Sequence, residues 1–115
     1  LYGELLRIEH WSNAVEQAQA AAARLLDPGS AIDYAAVPYF WSDQYDVKLQ
    51  FAGRVRVDDE LDVALGELGD KQYVALFGRE GKLTGVLASN RPAQFMRCRK
   101  LLSGRASLAD ARALL

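Results

Sequence analysis

The chain has 115 residues, half of them apolar and a quarter charged, which is ordinary globular usage and excludes a disordered chain. One cysteine and one histidine exclude an internal disulfide and leave no Cys/His metal cluster, and no apolar run approaches the roughly 20 residues that span a bilayer. The formal net charge is −1, but residues 1–78 carry 6 Lys/Arg against 13 Asp/Glu, whereas residues 79–115 carry 8 against 2.

In chain order, Leu1-Tyr2-Gly3-Glu4 is neither a signal peptide nor a basic targeting arm, and with no initiator methionine it reads as the start of an excised piece. Leu5 to Trp11 mixes β-branched, aromatic and charged residues and predicts a short strand. Ser12 or Asn13 then caps a helix; with Asn13 as cap, Glu16 completes a capping box. The helix runs through the alanine tract 20–23 to Leu26, with Leu25 and Leu26 anchoring its far end, until Asp27-Pro28-Gly29 stops it. Gly29 to Asp33 reads as a linker and domain boundary.

Val37 to Gln44 runs three consecutive aromatics, Tyr39-Phe40-Trp41, into three polar residues, Ser42-Asp43-Gln44. Two readings stand side by side: the start of an ordinary buried strand, or a rigid edge where a packed interior meets something flat. Asp46 to Gly53 alternates, with Val47, Leu49 and Phe51 on one face, and Leu61 to Leu65 alternates again. Tyr73 to Phe77 is nearly all apolar and predicts a central strand. Arg79-Glu80-Gly81-Lys82 is a hairpin turn and Leu83 to Ala88 its partner. Asn90 caps a helix that Pro92 opens, carrying Phe95, Met96, Leu101 and Leu102 with Arg97, Arg99 and Lys100 until Gly104 ends it. Ser107, with Asp110 three residues on, starts a last short helix through Leu114. The expected fold is α+β: an antiparallel sheet of four to five strands with helices packed on one side, preceded by a strand–helix unit.

Catalytic chemistry is not in evidence. His10, alone beside Trp11, reads as a satisfied structural histidine, no serine stands on a nucleophile elbow, and no G-x-G-x-x-G follows a strand. Neither catalytic nor metal residues are assigned. The basic final third suits an acidic partner or a solvated helix face, and the acidic remainder argues against nucleic acid.

Three strings carry a resemblance over essentially the whole chain: Arg7-x-Glu9-His10-Trp11-x-Asn13-Ala14-x-x-Gln17, then Pro38-Tyr39-Phe40-Trp41-Ser42-Asp43-Gln44, then Asn90-Arg91-Pro92. Together they resemble the C-terminal end of the FAD-dependent, NAD(P)H-using ferredoxin reductases that serve oxygenases and cytochromes P450, the putidaredoxin reductase-like group. The resemblance implies that residues 1–33 are the last strand and helix of an FAD-binding domain and residues 34–115 a reductase C-terminal domain. It implies cofactor-facing roles for Trp11, Asn13, Ala14 and Trp41, the helix at Asn13-Ala14 pointing its N-terminus at the flavin pyrimidine edge. It also implies a surface for a [2Fe–2S] ferredoxin at Trp41, Arg97, Arg99 and Lys100, with Phe40 left to the core. The chain carries neither glycine-rich dinucleotide fingerprint. FAD and NAD(P)H would therefore be held mainly by the remainder of the FAD and NAD domains, and the isolated piece is expected to be inactive. The expected protein is cytoplasmic, with no membrane or nucleic-acid partner, and the excised piece, its aromatic surface bared, is expected to self-associate or to swap its N-terminal helix. The alternative is a dimerisation or interaction module of a related flavoprotein, of the kind that resembles apoptosis-inducing factor.

Overall fold

The computed structural model describes residues 5–30 and 34–115. Helix α1 (Trp11–Leu26) and a 3₁₀ turn (Pro28–Ser30) come first. Five strands follow, β1 (Tyr39–Gln44), β2 (Val47–Gly53), β3 (Glu60–Leu65), β4 (Tyr73–Arg79) and β5 (Lys82–Ser89), then helices α2 (Pro92–Ser103) and α3 (Leu108–Arg112). The strands form one antiparallel sheet in the order β1-β2-β5-β4-β3. The fold is α+β, as the hairpin spacing predicts. Among the described residues no helix is long and apolar enough to cross a membrane.

The β4–β5 hairpin turns at Glu80 and Gly81, both at positive φ, as a type I′ connection requires. Gly53 ends β2 at φ +100°, where a Cβ would fall 2.2 Å from the Thr84 carbonyl oxygen, so only glycine lets β2 and β5 close there. Asn90 does not cap α2, whose N-cap is Arg91 with Pro92 in the first turn. Its side chain instead grips the β1–β2 turn, donating to the Asp46 carbonyl (3.0 Å) and accepting from the Lys48 amide (2.8 Å). Ser107 and Asp110 do form the reciprocal capping box expected for α3, which ends at Arg112, earlier than the expected Leu114.

One face of the sheet makes the core. Phe95, Cys98 and Leu102 of α2, with Ala111 of α3, pack on Ala52, Val74, Leu76, Val86 and Ala88. Burying a side chain the size of Phe95 contributes about 2–3 kcal/mol. The alternation in β2 therefore resolves in a way its composition hid. Val47, Leu49 and Phe51 do share a face, but the buried positions are Gln50 and Ala52, because both C-terminal helices lie on that side. The opposite face carries Phe40, Phe51 and Phe77 in ring contact at 5.4 and 6.3 Å. Phe40, expected in the core, is 43% exposed there.

Residues 5–10 are not a strand. His10 has extended backbone, but no neighbouring strand pairs with it among the described residues, and a strand exists only as part of a ladder. Helix α1 begins at Trp11, two residues before the expected cap region closes, and buries none of its residues; Leu25 and Leu26 are exposed, not anchors. The linker assignment at 29–33 falls partly on residues 31–33, outside the described residues.

The charge asymmetry of the sequence is partly neutralised by folding. Arg112 pairs with Asp62, and Arg79 pairs with Asp59, whose carboxylate is fully buried and also accepts from the Arg56 amide (3.1 Å) and the Thr84 hydroxyl (2.8 Å). Burial alone would raise the Asp59 pKa, but the Arg56, Thr84 and Arg79 donors outweigh it and hold the group below the ordinary value of 3.8. A depressed folded pKa means the stabilisation is complete above that ordinary value and is lost as the pH falls below it through the folded one. Replacing Asp59 by Ala strands three donors and should cost about 2 kcal/mol at neutral pH, read by urea denaturation, with the gap between parent and variant closing in acid.

Candidate functional site

The first turn of α1 sits across the free edge of β1. Ser12 Oγ donates to the outward-facing Tyr39 carbonyl at 2.7 Å. Successive residues of a strand point to opposite faces, so the helix entry can meet both. Trp11 packs edge-on against Trp41 on the helix-covered side, centroids 6.0 Å apart, and His10 meets Phe40 on the open side at 5.0 Å. Between them lies an open hollow of about 580 Å³, lined by Glu9, His10, Trp11, Ser12, Tyr39, Phe40 and Trp41. Its walls are chiefly aromatic. Trp11 is 73% exposed and Trp41 41%, so two indoles stand at its rim with much of their surface bare.

The polar groups at the hollow are few. Helix α1 has no side-chain cap, so its first-turn amides lack capping partners. The Ala14 amide is not among them: it donates to the His10 carbonyl at 3.1 Å. Nor does Asn13 line the hollow. Its side chain donates to the Ile8 carbonyl (2.7 Å) and accepts from Gln17 Nε2 (3.2 Å) and the Tyr34 hydroxyl (3.0 Å). The capping box predicted for Asn13 and Glu16 is thus replaced by a clamp on Tyr34, whose single hydroxyl proton is shared between Asn13 Oδ1 and the Glu16 carboxylate at 2.9 Å. His10 is not the satisfied histidine its isolation in the sequence suggests, since its Nδ1 is buried beside the hollow without a hydrogen-bond partner among the described residues.

Tyr39 extends the cluster inward. Its ring stacks on Trp41 (5.7 Å, 23°), tilts against Phe95 (5.7 Å) and lies under the Arg99 guanidinium, 4.3 Å from its centroid. Its hydroxyl accepts from Gln50 Nε2 at 3.2 Å. The structure therefore brings Trp11, Trp41 and Arg99 into one assembly but leaves Arg97 and Lys100 on the exposed side of α2. The sequence does not single out Gln50 and gives Tyr39 no role beyond the aromatic run and its bared surface; a polar residue on a buried strand position facing an aromatic is the signal that marks the pair. No group of acidic, His or Cys side chains able to hold a metal ion occurs among the described residues.

A family profile described as reductase C-terminal matches residues 39–114, which is well over half of the chain. The chain belongs to the reductase C-terminal family. It is 39% identical over 100 residues to rhodocoxin reductase of Rhodococcus erythropolis, covering 86% of this chain and 22% of that protein. It is 32% identical over 100 residues to the 5,5'-dehydrodivanillate O-demethylase ferredoxin reductase subunit of a Sphingobium species, covering 87% and 24%. Among solved structures, it superposes on the ferredoxin reductase for the CYP199A2 system of Rhodopseudomonas palustris with a TM-score of 0.82 at 37% identity, over 93% of this chain and 26% of that one. The corresponding values for the covalent putidaredoxin reductase–putidaredoxin complex are 0.78, 31%, 90% and 24%. The chain spans about a quarter of the length of these relatives.

The Tyr34 clamp gives the site a measurable signature. Burial first, then the hydrogen bond and negative charge of Glu16, push its phenol up to about 12. A raised folded pKa means that the clamp is intact below the ordinary tyrosine value of 10 and is lost as the pH rises through the folded value. A spectrophotometric alkaline titration should show one phenol ionising near 12, and Tyr34→Phe should remove that step.

Proposed function

We propose that this chain is the C-terminal domain of an FAD-dependent NAD(P)H:ferredoxin reductase, residues 1–33 closing the FAD-binding domain and residues 34–115 forming the C-terminal domain. The observation that carries this reading is the hollow at the β1 edge, where a helix entry and an aromatic strand converge on exposed Trp11 and Trp41. Helix α1 supports the division, because it buries nothing, meets the sheet edge through its first turn and is otherwise clamped to Tyr34, ahead of β1.

The residues present fit one edge of a flat heteroaromatic ring. Aromatic walls suit its faces, and uncapped helix amides with the unpartnered His10 Nδ1 suit its polar rim. They do not fit a whole dinucleotide, since no glycine-rich phosphate loop is in the chain. In this reading Trp11 and the first turn of α1 lie at the flavin, Asn13 and Ala14 act by shaping that turn, and Trp41 covers the ring and faces the partner. FAD, when bound, supplies the passage from hydride transfer with NAD(P)H to single electrons for a [2Fe–2S] ferredoxin. NAD(P)H itself is held by the rest of the enzyme. Arg97 and Lys100, exposed on α2, steer an acidic ferredoxin to the rim.

In a full-length reductase carrying this domain, Trp41→Ala should lower kcat/KM for the ferredoxin about tenfold, in keeping with loss of an aromatic interface anchor. A variant indistinguishable from the parent would overturn the assignment. The 115-residue chain alone should not take up FAD stoichiometrically in an absorbance titration, and tight binding would contradict the division into two parts.

A second reading, a dimerisation module of a related flavoprotein, is favoured by the open Phe40–Phe51–Phe77 face. Sedimentation separates the two. A dimer that Phe51→Ser dissociates, in the full-length protein, would support the module; a full-length monomer supports the reductase domain.

A further inference from the structure

Trp41 poses a mechanical problem that the hollow does not solve. A flat side chain with 41% of its surface exposed has several rotamers open to it, and its neighbour Trp11 is itself 73% exposed and offers only an edge contact. The firm support is Tyr39, stacked on the inner side of the indole. Tyr39 is in turn held at three points: Gln50, almost fully buried, bonds its hydroxyl, Phe95 in the core meets its ring, and Arg99 lies over it.

The basic residues of α2 fall into two groups. Arg97 and Lys100, three residues apart, share the exposed side of the helix. Arg99 stands four residues after the buried Phe95, on the side that faces β1, and is half-buried. A cation 4.3 Å from an aromatic centroid, partly removed from water, is held by the ring's electron-rich face and holds the ring in return. A planar guanidinium does this over a larger area than an ammonium would.

We infer that Arg99 is a positioning residue: it pins Tyr39 by cation–π contact and, through the Tyr39–Trp41 stack, sets the indole at the rim of the hollow. Its charge is thereby spent inside the domain, and steering is left to Arg97 and Lys100. What Trp41 does once positioned rests on the function proposed above; the positioning is a property of this chain alone.

The chain has two tryptophans, so in a Trp11→Phe background Trp41 is the sole indole emitter. Arg99→Gln in that background should raise collisional quenching of Trp41 by acrylamide roughly threefold and lower its anisotropy. Arg99→Lys, which keeps charge and stem but not the planar overlap, should give a smaller rise, and Arg97→Gln none. Equal quenching in the parent and both Arg99 variants overturns the inference. Should Arg99→Gln lose its far-UV circular dichroism, the Arg99→Lys comparison decides alone, and no rise there overturns it.

In a full-length reductase, Arg99→Gln should lower kcat/KM for the ferredoxin by the same factor at low and high salt, whereas the loss in Arg97→Gln should fade as salt screens it. An Arg99→Gln loss that also fades with salt would make Arg99 a steering charge and overturn the positioning role. A quenching response as expected, with ferredoxin turnover insensitive to every variant including Trp41→Ala, would uphold the positioning and sink the proposed function instead.

Discussion

The backbone carbonyl of Tyr39 points away from the sheet because β1 is an edge strand, and Ser12 at the start of α1 donates to it. The ring of the same residue points toward α2, where Phe95, Gln50 and Arg99 hold it. One residue thus ties the N-terminal helix, the sheet edge and the basic helix to each other. The hollow lies where the helix entry and the sheet edge meet without filling the space between them, and the basic helix reaches it only by backing the Tyr39 ring in its wall. An edge strand left bare is an invitation to pair with another chain, and a helix entry laid across it is a way of closing that edge.

The asymmetry of the sheet follows from where the chain goes after β5. Both C-terminal helices fold back onto one face, so the strands carry small or medium apolar residues there, Ala52, Val74, Leu76, Val86 and Ala88, under the large Phe95. The other face receives no helix among the described residues and keeps its phenylalanines half-covered by one another. Phe40 belongs to this second face, and Trp41, one residue on, belongs to the first. A two-residue aromatic pair is thereby split across the sheet edge, and the helix entry matches it with His10 on one side and Trp11 on the other. That matching gives physical content to the likeness between the Glu9-His10-Trp11 and Tyr39-Phe40-Trp41 strings and the reductase family: they are two halves of one contact.

Asn90-Arg91-Pro92 is a further case of a motif whose role is geometric. Asn90 adopts positive φ and uses both ends of its amide to hold the β1–β2 turn, which fixes the strand bearing Trp41 relative to β5. Aspartate would supply the acceptor but not the donor, and leucine neither. The motif bears on the site by setting the frame in which Tyr39 and Trp41 stand, beside the hold that β2, the first turn of α1 and the α2 side chains over Tyr39 have on β1.

Several features were legible in the residues themselves, because each is local. The β4–β5 hairpin follows from a turn that needs two positive-φ residues, α3 from a reciprocal Ser–Asp cap, the start of α2 from a proline, and the antiparallel class from short strands at close spacing. The motif strings pointed to the family, which the match over residues 39–114 established. Tertiary structure decided what depends on partners distant in sequence. It chose which face of β2 is buried, because α2 arrives some forty residues later. It drew Asn13 into a Tyr34 clamp and Asn90 onto a turn, because a side chain that could cap found a better-placed partner. Among the described residues it left 5–10 outside any ladder, because no neighbouring strand stands beside them. And it turned Arg99 inward over Tyr39 while Arg97 and Lys100 faced out, a distinction that composition alone cannot hold, because a step of one or two residues, a fraction of a helical turn, separates a solvated charge from a packed one.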